Sequence, residues 1–316
     1  MNTIPNRLGG RVCAAAFGIL TLATAAYGTS GPQGHDLTAD DLKALTYGNS
    51  IPGFRQISVQ KDHEGPYVLL QGALDGTVAS GYITSLWESG DTLNHLQITV
   101  RVCRSADAAR AAVRQLTSSP SVRDAQAQQV GEESWARISL AYAALRFRLG
   151  RVAVFLGMYP NNRRSPDGSA LVSQMDAHLD DVVRPLAHGL EWVIRQRPEL
   201  LADGDRGSLR VVASGTTAPT ASSLTMRNVA WADLSAFRLA GAEVKWDAEA
   251  GRGVVTYRGR QIELNAFMKA ARLGAKKLDL GSAVTVTPVG PIVPLRKVAE
   301  ALGMRVRVRG ATIELG

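Results

Sequence analysis

The chain has 316 residues, 36 Lys and Arg against 28 Asp and Glu (formal net charge +8), 45% hydrophobic residues and two cysteines. That length allows about two domains, and two cysteines so placed exclude a disulfide framework, since one falls in a segment expected to be removed. Basicity without a recognised nucleic-acid motif argues against a nucleic-acid partner and directs attention to other anionic surfaces.

Residues 1–28 read as a secretory signal peptide: Arg7 and Arg11 precede an apolar run at 12–26, and small residues at Ala23, Ala25, Ala26 and Gly28 offer cleavage sites. The run is short for a membrane span, which needs about 20 residues, and no later segment approaches that length. The chain is therefore expected to be secreted or extracytoplasmic, with no transmembrane span after cleavage. Cys13 leaves with the signal and Cys103 remains alone, in an alternating strand that favours a buried structural thiol. Charge divides unevenly. Residues 207–316 hold sixteen Lys and Arg against eight Asp and Glu, a net +8, whereas 29–206 hold eighteen against twenty, a net −2.

Residues 29–200 read as an α+β sandwich domain. A short helix is expected at 37–45 and a turn at Ile51-Pro52-Gly53-Phe54, followed by strands near 67–74, 79–88 and 95–103. Ser105 then caps a helix at 106–116. A strand follows at 135–140, then a hairpin in which Leu145, Phe147 and Leu149 alternate, Gly150-Arg151 turns, and Val152, Val154 and Leu156 alternate back. A long helix at 169–196 closes the domain, with Pro185 expected to kink it.

No catalytic, cofactor-binding or metal-ligating set stands out in this region. His63-Glu64 is an isolated loop pair, Glu132-Glu133 read as solvated turn acids, and Asp180-Asp181 fall on the polar face of the long helix. Asp203-Gly204-Asp205 begins like a calcium loop, but Arg206-Gly207 replaces the next oxygen ligands and Ser214 stands at the twelfth position, so 201–206 read as a linker. No cofactor is expected.

From 207 onward the grammar repeats. Pro294 opens a helix whose Leu295, Val298, Ala299 and Leu302 share one face, Gly303 supplies a left-handed cap, and Met304, Val306 and Val308 alternate with Arg305, Arg307 and Arg309 before a last strand at 311–315. Earlier, residues 234–247 follow the same plan, with Gly241 aligned to Gly303 and Val244 to Val306, and strands at 252–257 and 260–264 flank the turn Arg258-Gly259. The region is a smaller α+β module of two helix–strand–turn–strand halves, opening with a strand at 209–213.

The strings Val293-Pro294-Leu295-Arg296 through Gly303 and Gly241-Ala242-Glu243-Val244-Lys245-Trp246-Asp247 resemble the copper amine oxidase N-terminal-like, or stalk, domain of bacterial surface proteins. The first half departs from the pattern, with Ala232 where the second has Pro294. The resemblance implies an accessory stalk, not an oxidase. All five histidines (His35, His63, His95, His178, His188) lie outside 207–316, so the module lacks the imidazoles of a type-2 copper site.

Two readings follow. One is an exported non-enzymatic protein, associated with the cell envelope, whose basic stalk carries an α+β binding or sensor-like domain. The alternative is an exported hydrolase with its active site in the N-terminal domain. Under the first, Arg305, Arg307 and Arg309 form the candidate contact surface for an anionic cell-wall polymer or glycan; a charged face that keeps an edge strand from pairing explains the same alternation.

Overall fold

A computed structural model describes residues 45, 47, 51–57, 78–90, 94–103, 105–114, 123–126, 130–138, 142–159, 175, 177–197, 200–201, 208–213, 221–226, 229–309 and 312–316. All belong to one compact unit, residues 34–316. The expected signal peptide, residues 37–44 of the expected helix at 37–45, the expected strand at 67–74, His63-Glu64 and residues 202–206 of the expected linker at 201–206 lie outside the described residues. The architecture is mixed but mostly antiparallel β, with few helices.

The first sheet has the order β1-β2-β3-β7-β6-β5-β4: Phe54–Ile57, Val78–Ser89, His95–Cys103, Val152–Tyr159, Ala143–Leu149, Glu133–Ile138 and Arg123–Gln126. All its pairings are antiparallel. The expected turn before β1 forms, with the Phe54 N–H donating to the Ile51 carbonyl (2.9 Å) and Gly53 at φ +79°. The expected hairpin also forms, as β6 and β7 around Gly150 at φ +56°. Alternation sends Leu145, Phe147, Leu149, Val152, Val154 and Leu156 to one face, where they join Leu96, Ile98 and Val100 in a core.

A helix covers that face. Its visible course starts with helical residues at 175, 177 and 178, widens into a π-helical turn at Leu179–Val183 and continues as α2, Arg184–Arg195. Just ahead of Pro185, the residue expected to kink this helix, the structure places the π-turn. Pro185 has no N–H for the Asp181 carbonyl, and the Arg184 N–H reaches back five residues to the Leu179 carbonyl. The helix α1, Ala106–Arg114, packs on the opposite face with Ala109 and Val113 against Ala153 and Cys103. The Ser105 hydroxyl accepts from the Ala108 N–H (3.1 Å), so the expected cap is present. Cys103 is fully buried and in no disulfide.

The C-terminal part contains two sheets. One has the order β16-β17-β10-β9-β8-β19-β18, formed by Thr285–Thr287, Gly290–Pro294, Val229–Asp233, Ala221–Met226, Ser208–Ala213, Thr312–Leu315 and Val306–Arg309. The other is a five-stranded meander, β11 to β15: Glu243–Asp247, Arg252–Tyr257, Arg260–Asn265, Ala270–Leu273 and Lys276–Asp279. Between them lie α3, Ser235–Leu239, and α4, Leu295–Ala301, with Phe237, Val255, Ile262, Leu264, Val293 and Val298 in a second core.

The internal repeat is visible in the backbone. Gly241 (φ +85°) and Gly303 (φ +80°) end α3 and α4 with the same pair of bonds: Gly241 N–H to Arg238 O and Ala242 N–H to Phe237 O, Gly303 N–H to Glu300 O and Met304 N–H to Ala299 O, all 2.9 Å. These are Schellman caps, which a residue with a Cβ adopts only under strain. Each cap leads into a hairpin, β11-β12 or β18-β19. The strands feeding the two helices, β10 and β17, pair antiparallel, with Trp231 opposite Pro294 and Ala232 opposite Val293. The two hairpins nevertheless join different sheets.

The first core does not stop at α2. Trp231, Val286 and Ile292 from the C-terminal part belong to it, and Val229, Ala266 and Phe267 pack against it. Gly189 on α2 permits this approach. A Cβ there would sit 2.2 Å from the Val286 carbonyl oxygen and 2.7 Å from the Tyr47 hydroxyl. That hydroxyl, buried, donates to the Leu186 carbonyl (2.7 Å).

Candidate functional site

Along this seam runs a groove of about 470 Å³. The π-turn and the start of α2 supply Asp180, Asp181, Arg184 and His188 on one side, and the C-terminal part supplies Trp231, Phe267, Met268 and Lys269 on the other. Asp180 and Arg184 form an ion pair (2.8 Å) on successive turns. Met268 is 53% exposed. Phe267 holds φ +62°, a conformation costly for a bulky residue. Its N–H donates to the Val284 carbonyl (2.8 Å), and the Val284 N–H donates to the Met268 carbonyl (3.0 Å). These bonds fix the turn that aims the ring at the seam.

Beneath the groove the ionisable groups are committed to one another. Glu191 is buried and accepts from Arg195 at 2.8 and 3.0 Å, and lies 3.4 Å from His188 Nδ1. Burial pushes its carboxyl up, but the His188 and Arg195 interactions outweigh this and hold it below the usual carboxylate range. His178 accepts from the Asn94 amide (3.0 Å), and burial, against a smaller upward pull from Asp181, lowers its pKa. The lowered His178 favours a neutral ring, and Glu191 is engaged as an ion-pair acceptor. Among the described residues no group of three or more His, Cys, Asp and Glu is placed to hold a metal. The groove has the features of a binding cleft with mixed charge and an aromatic wall.

The sequence-derived surface lies elsewhere. Arg305 and Arg307 are exposed, and Arg309 closes β18, the last strand of its sheet. Arg307 stands opposite Glu314. Arg305 precedes the strand and exchanges backbone hydrogen bonds with Gly316 (2.5 and 3.1 Å). The other face of β18 is less buried than alternation predicts: Val306 is half-buried and Val308 is 52% exposed. An edge strand has a neighbour on one side only, which accounts for that exposure.

The acids of the 131–134 turn depart from expectation. Glu132 and Glu133 are not simply solvated; they pair with the buried Arg148 at 2.6 and 3.2 Å, and Glu133 also holds Arg110. Gly131 makes the turn possible, since at φ +65° a Cβ would lie 2.4 Å from the Arg148 carbonyl oxygen. Three buried arginines on this sheet (Arg137, Arg146, Arg148) went unnoticed in the sequence. Their alternation with apolar residues reads as a solvent face.

Residues 235–315 match the family model of the copper amine oxidase N-terminal domain, an accessory domain. The match begins with α3 and ends with β19, and so spans both helix–strand–turn–strand halves. No curated protein and no solved structure matches the chain.

Proposed function

We propose that the chain is an exported, non-enzymatic binding protein of the cell envelope, with an N-terminal α+β sandwich domain over 29–200, a linker at 201–206 and a stalk-like module over 207–316. The match of 235–315 to an accessory domain carries this reading. An accessory module supplies attachment or spacing, and its net charge of +8 suits an anionic wall polymer or glycan. The signal-like pattern at 1–28 supports export. Specificity then falls to the seam groove, where Trp231 and Phe267 offer apolar surface beside Asp181 and Lys269.

The test is fractionation of the cells that make the protein, with N-terminal sequencing. The expected product is extracytoplasmic and begins near residue 29. A cytoplasmic protein with its N-terminus intact overturns the proposal.

A further inference from the structure

The seam groove holds two opposite charges that its own residues leave unanswered. Arg184 is committed to Asp180 at 2.8 Å, one helical turn away. His188 is engaged by Glu191 at 3.4 Å. Asp181 of the π-turn and Lys269, which precedes β14, line the groove from opposite sides. Both are exposed, and among the described residues neither side chain makes a hydrogen bond or an ion pair. His178 feels the charge of Asp181 but favours the neutral ring, so it is no counter-ion.

Apolar surface accompanies both charges. Phe267 and the 53% exposed Met268 stand on the Lys269 side, and Pro185 stands on the Asp181 side. The unbranched thioether of a methionine adapts to apolar groups of different shape.

These features discriminate among ligands. A simple anion meets Lys269 but also the carboxylates of Asp180 and Asp181. A simple cation meets Asp181 but also Lys269 and Arg184. A neutral sugar leaves Asp181 and Lys269 without counter-charges. A molecule with an ammonium at one end and a carboxylate at the other answers both through charge-assisted hydrogen bonds. The groove volume of about 470 Å³ suits a small ligand rather than a polymer strand.

We propose that the groove binds a free amino acid or short peptide, with its α-amino group on Asp181, its α-carboxylate on Lys269 and an apolar side chain against Phe267 and Met268. This rests on the reading of the groove as the site of specificity, but not on export or on the wall contact.

The test is titration calorimetry of the whole chain with leucine, dileucine and trileucine at constant ionic strength. One saturable site for at least one of them is expected, and the preferred length reports the span between the two charges. N-acetylation and C-amidation of the preferred ligand should each weaken binding by about tenfold or more. Asp181→Asn should weaken the free-ended ligand to a similar degree and make acetylation nearly indifferent. Lys269→Met should do the same for amidation. Both positions are exposed, so both variants should melt with the parent. The blocked ligands need no variant and decide the matter if a variant fails to fold. The proposal is overturned by no saturable binding of any of the three ligands, by binding indifferent to either end group, or by unchanged binding in both folded variants. Each of these results leaves the fractionation outcome untouched. A cytoplasmic protein that binds the free-ended ligand removes the export reading and keeps this one.

Discussion

The two regions of the molecule treat positive charge in opposite ways. Residues 207–316 carry a net +8, yet among the described residues they bury no Lys or Arg. Residues 29–206 carry a net −2 and bury Arg137, Arg146 and Arg148. Net charge therefore says little about where a cation makes specific contacts. On the exposed strands of the C-terminal part a Lys or Arg keeps its hydration and contributes little to stability. Inside the first region each guanidinium gives up hydration and requires a partner of defined geometry.

Substitution should expose the contrast, most sharply at Arg148. Arg148→Ala leaves Glu132 and Glu133 without their shared partner, and a loss of about 3–5 kcal/mol is expected in denaturant unfolding. Gly189→Ala tests the seam that joins the regions. Its Cβ must displace the β16 backbone at Val286, and a loss of about 2–3 kcal/mol is expected, with increased exposure of Trp231 measurable by fluorescence.

A smaller effect is expected at Glu191, and it depends on pH. Its carboxyl titrates lower in the folded chain than in the unfolded one, so its contribution is complete above the ordinary value of about 4.3 and fades as pH falls through the folded value. His178, also shifted down, destabilises in the same direction as pH falls below about 6.5, because the unfolded ring takes up its proton first. Glu191→Gln should lower stability at neutral pH by about 1–2 kcal/mol and flatten the acid limb below about pH 4.5, as read from melting temperature against pH.

Least stability change is expected on β18. Replacing Arg305, Arg307 and Arg309 by Ser should shift stability by no more than about 0.5 kcal/mol per site. It should nonetheless weaken co-sedimentation of residues 29–316 with purified sacculi at low salt. Equal pelleting by parent and variant would remove β18 from the proposed contact.

Much of the local structure was legible in the sequence because it depends on near neighbours. Ser105 capped its helix, Gly150 turned its hairpin, and Arg258-Gly259 made a tight turn with both residues at positive φ (47° and 79°). The repeat was readable because Gly241 and Gly303 meet one requirement twice. What stayed hidden depends on tertiary cover. Thr285–Thr287, Gly290–Pro294 and Lys276–Asp279 are too short and too mixed in polarity to show a period. The buried state of Arg137 and the pairing of Glu132 and Glu133 with Arg148 follow from what packs across the sheet. The groove needs Phe267 and Asp181 together, and no spacing in the chain links them.

The parallel pairing of β8 with β19 has a consequence for biogenesis. Leu315 stands beside Ala213, so β8 gains its second neighbour from the last strand of the sheet to be synthesised. Until residues 312–315 emerge, β8 lacks one hydrogen-bonding neighbour and the β18–β19 hairpin cannot dock. Pairing across so wide a sequence separation is slow. A nascent chain therefore stays short of this sheet's final topology until residues 312–315 have been made.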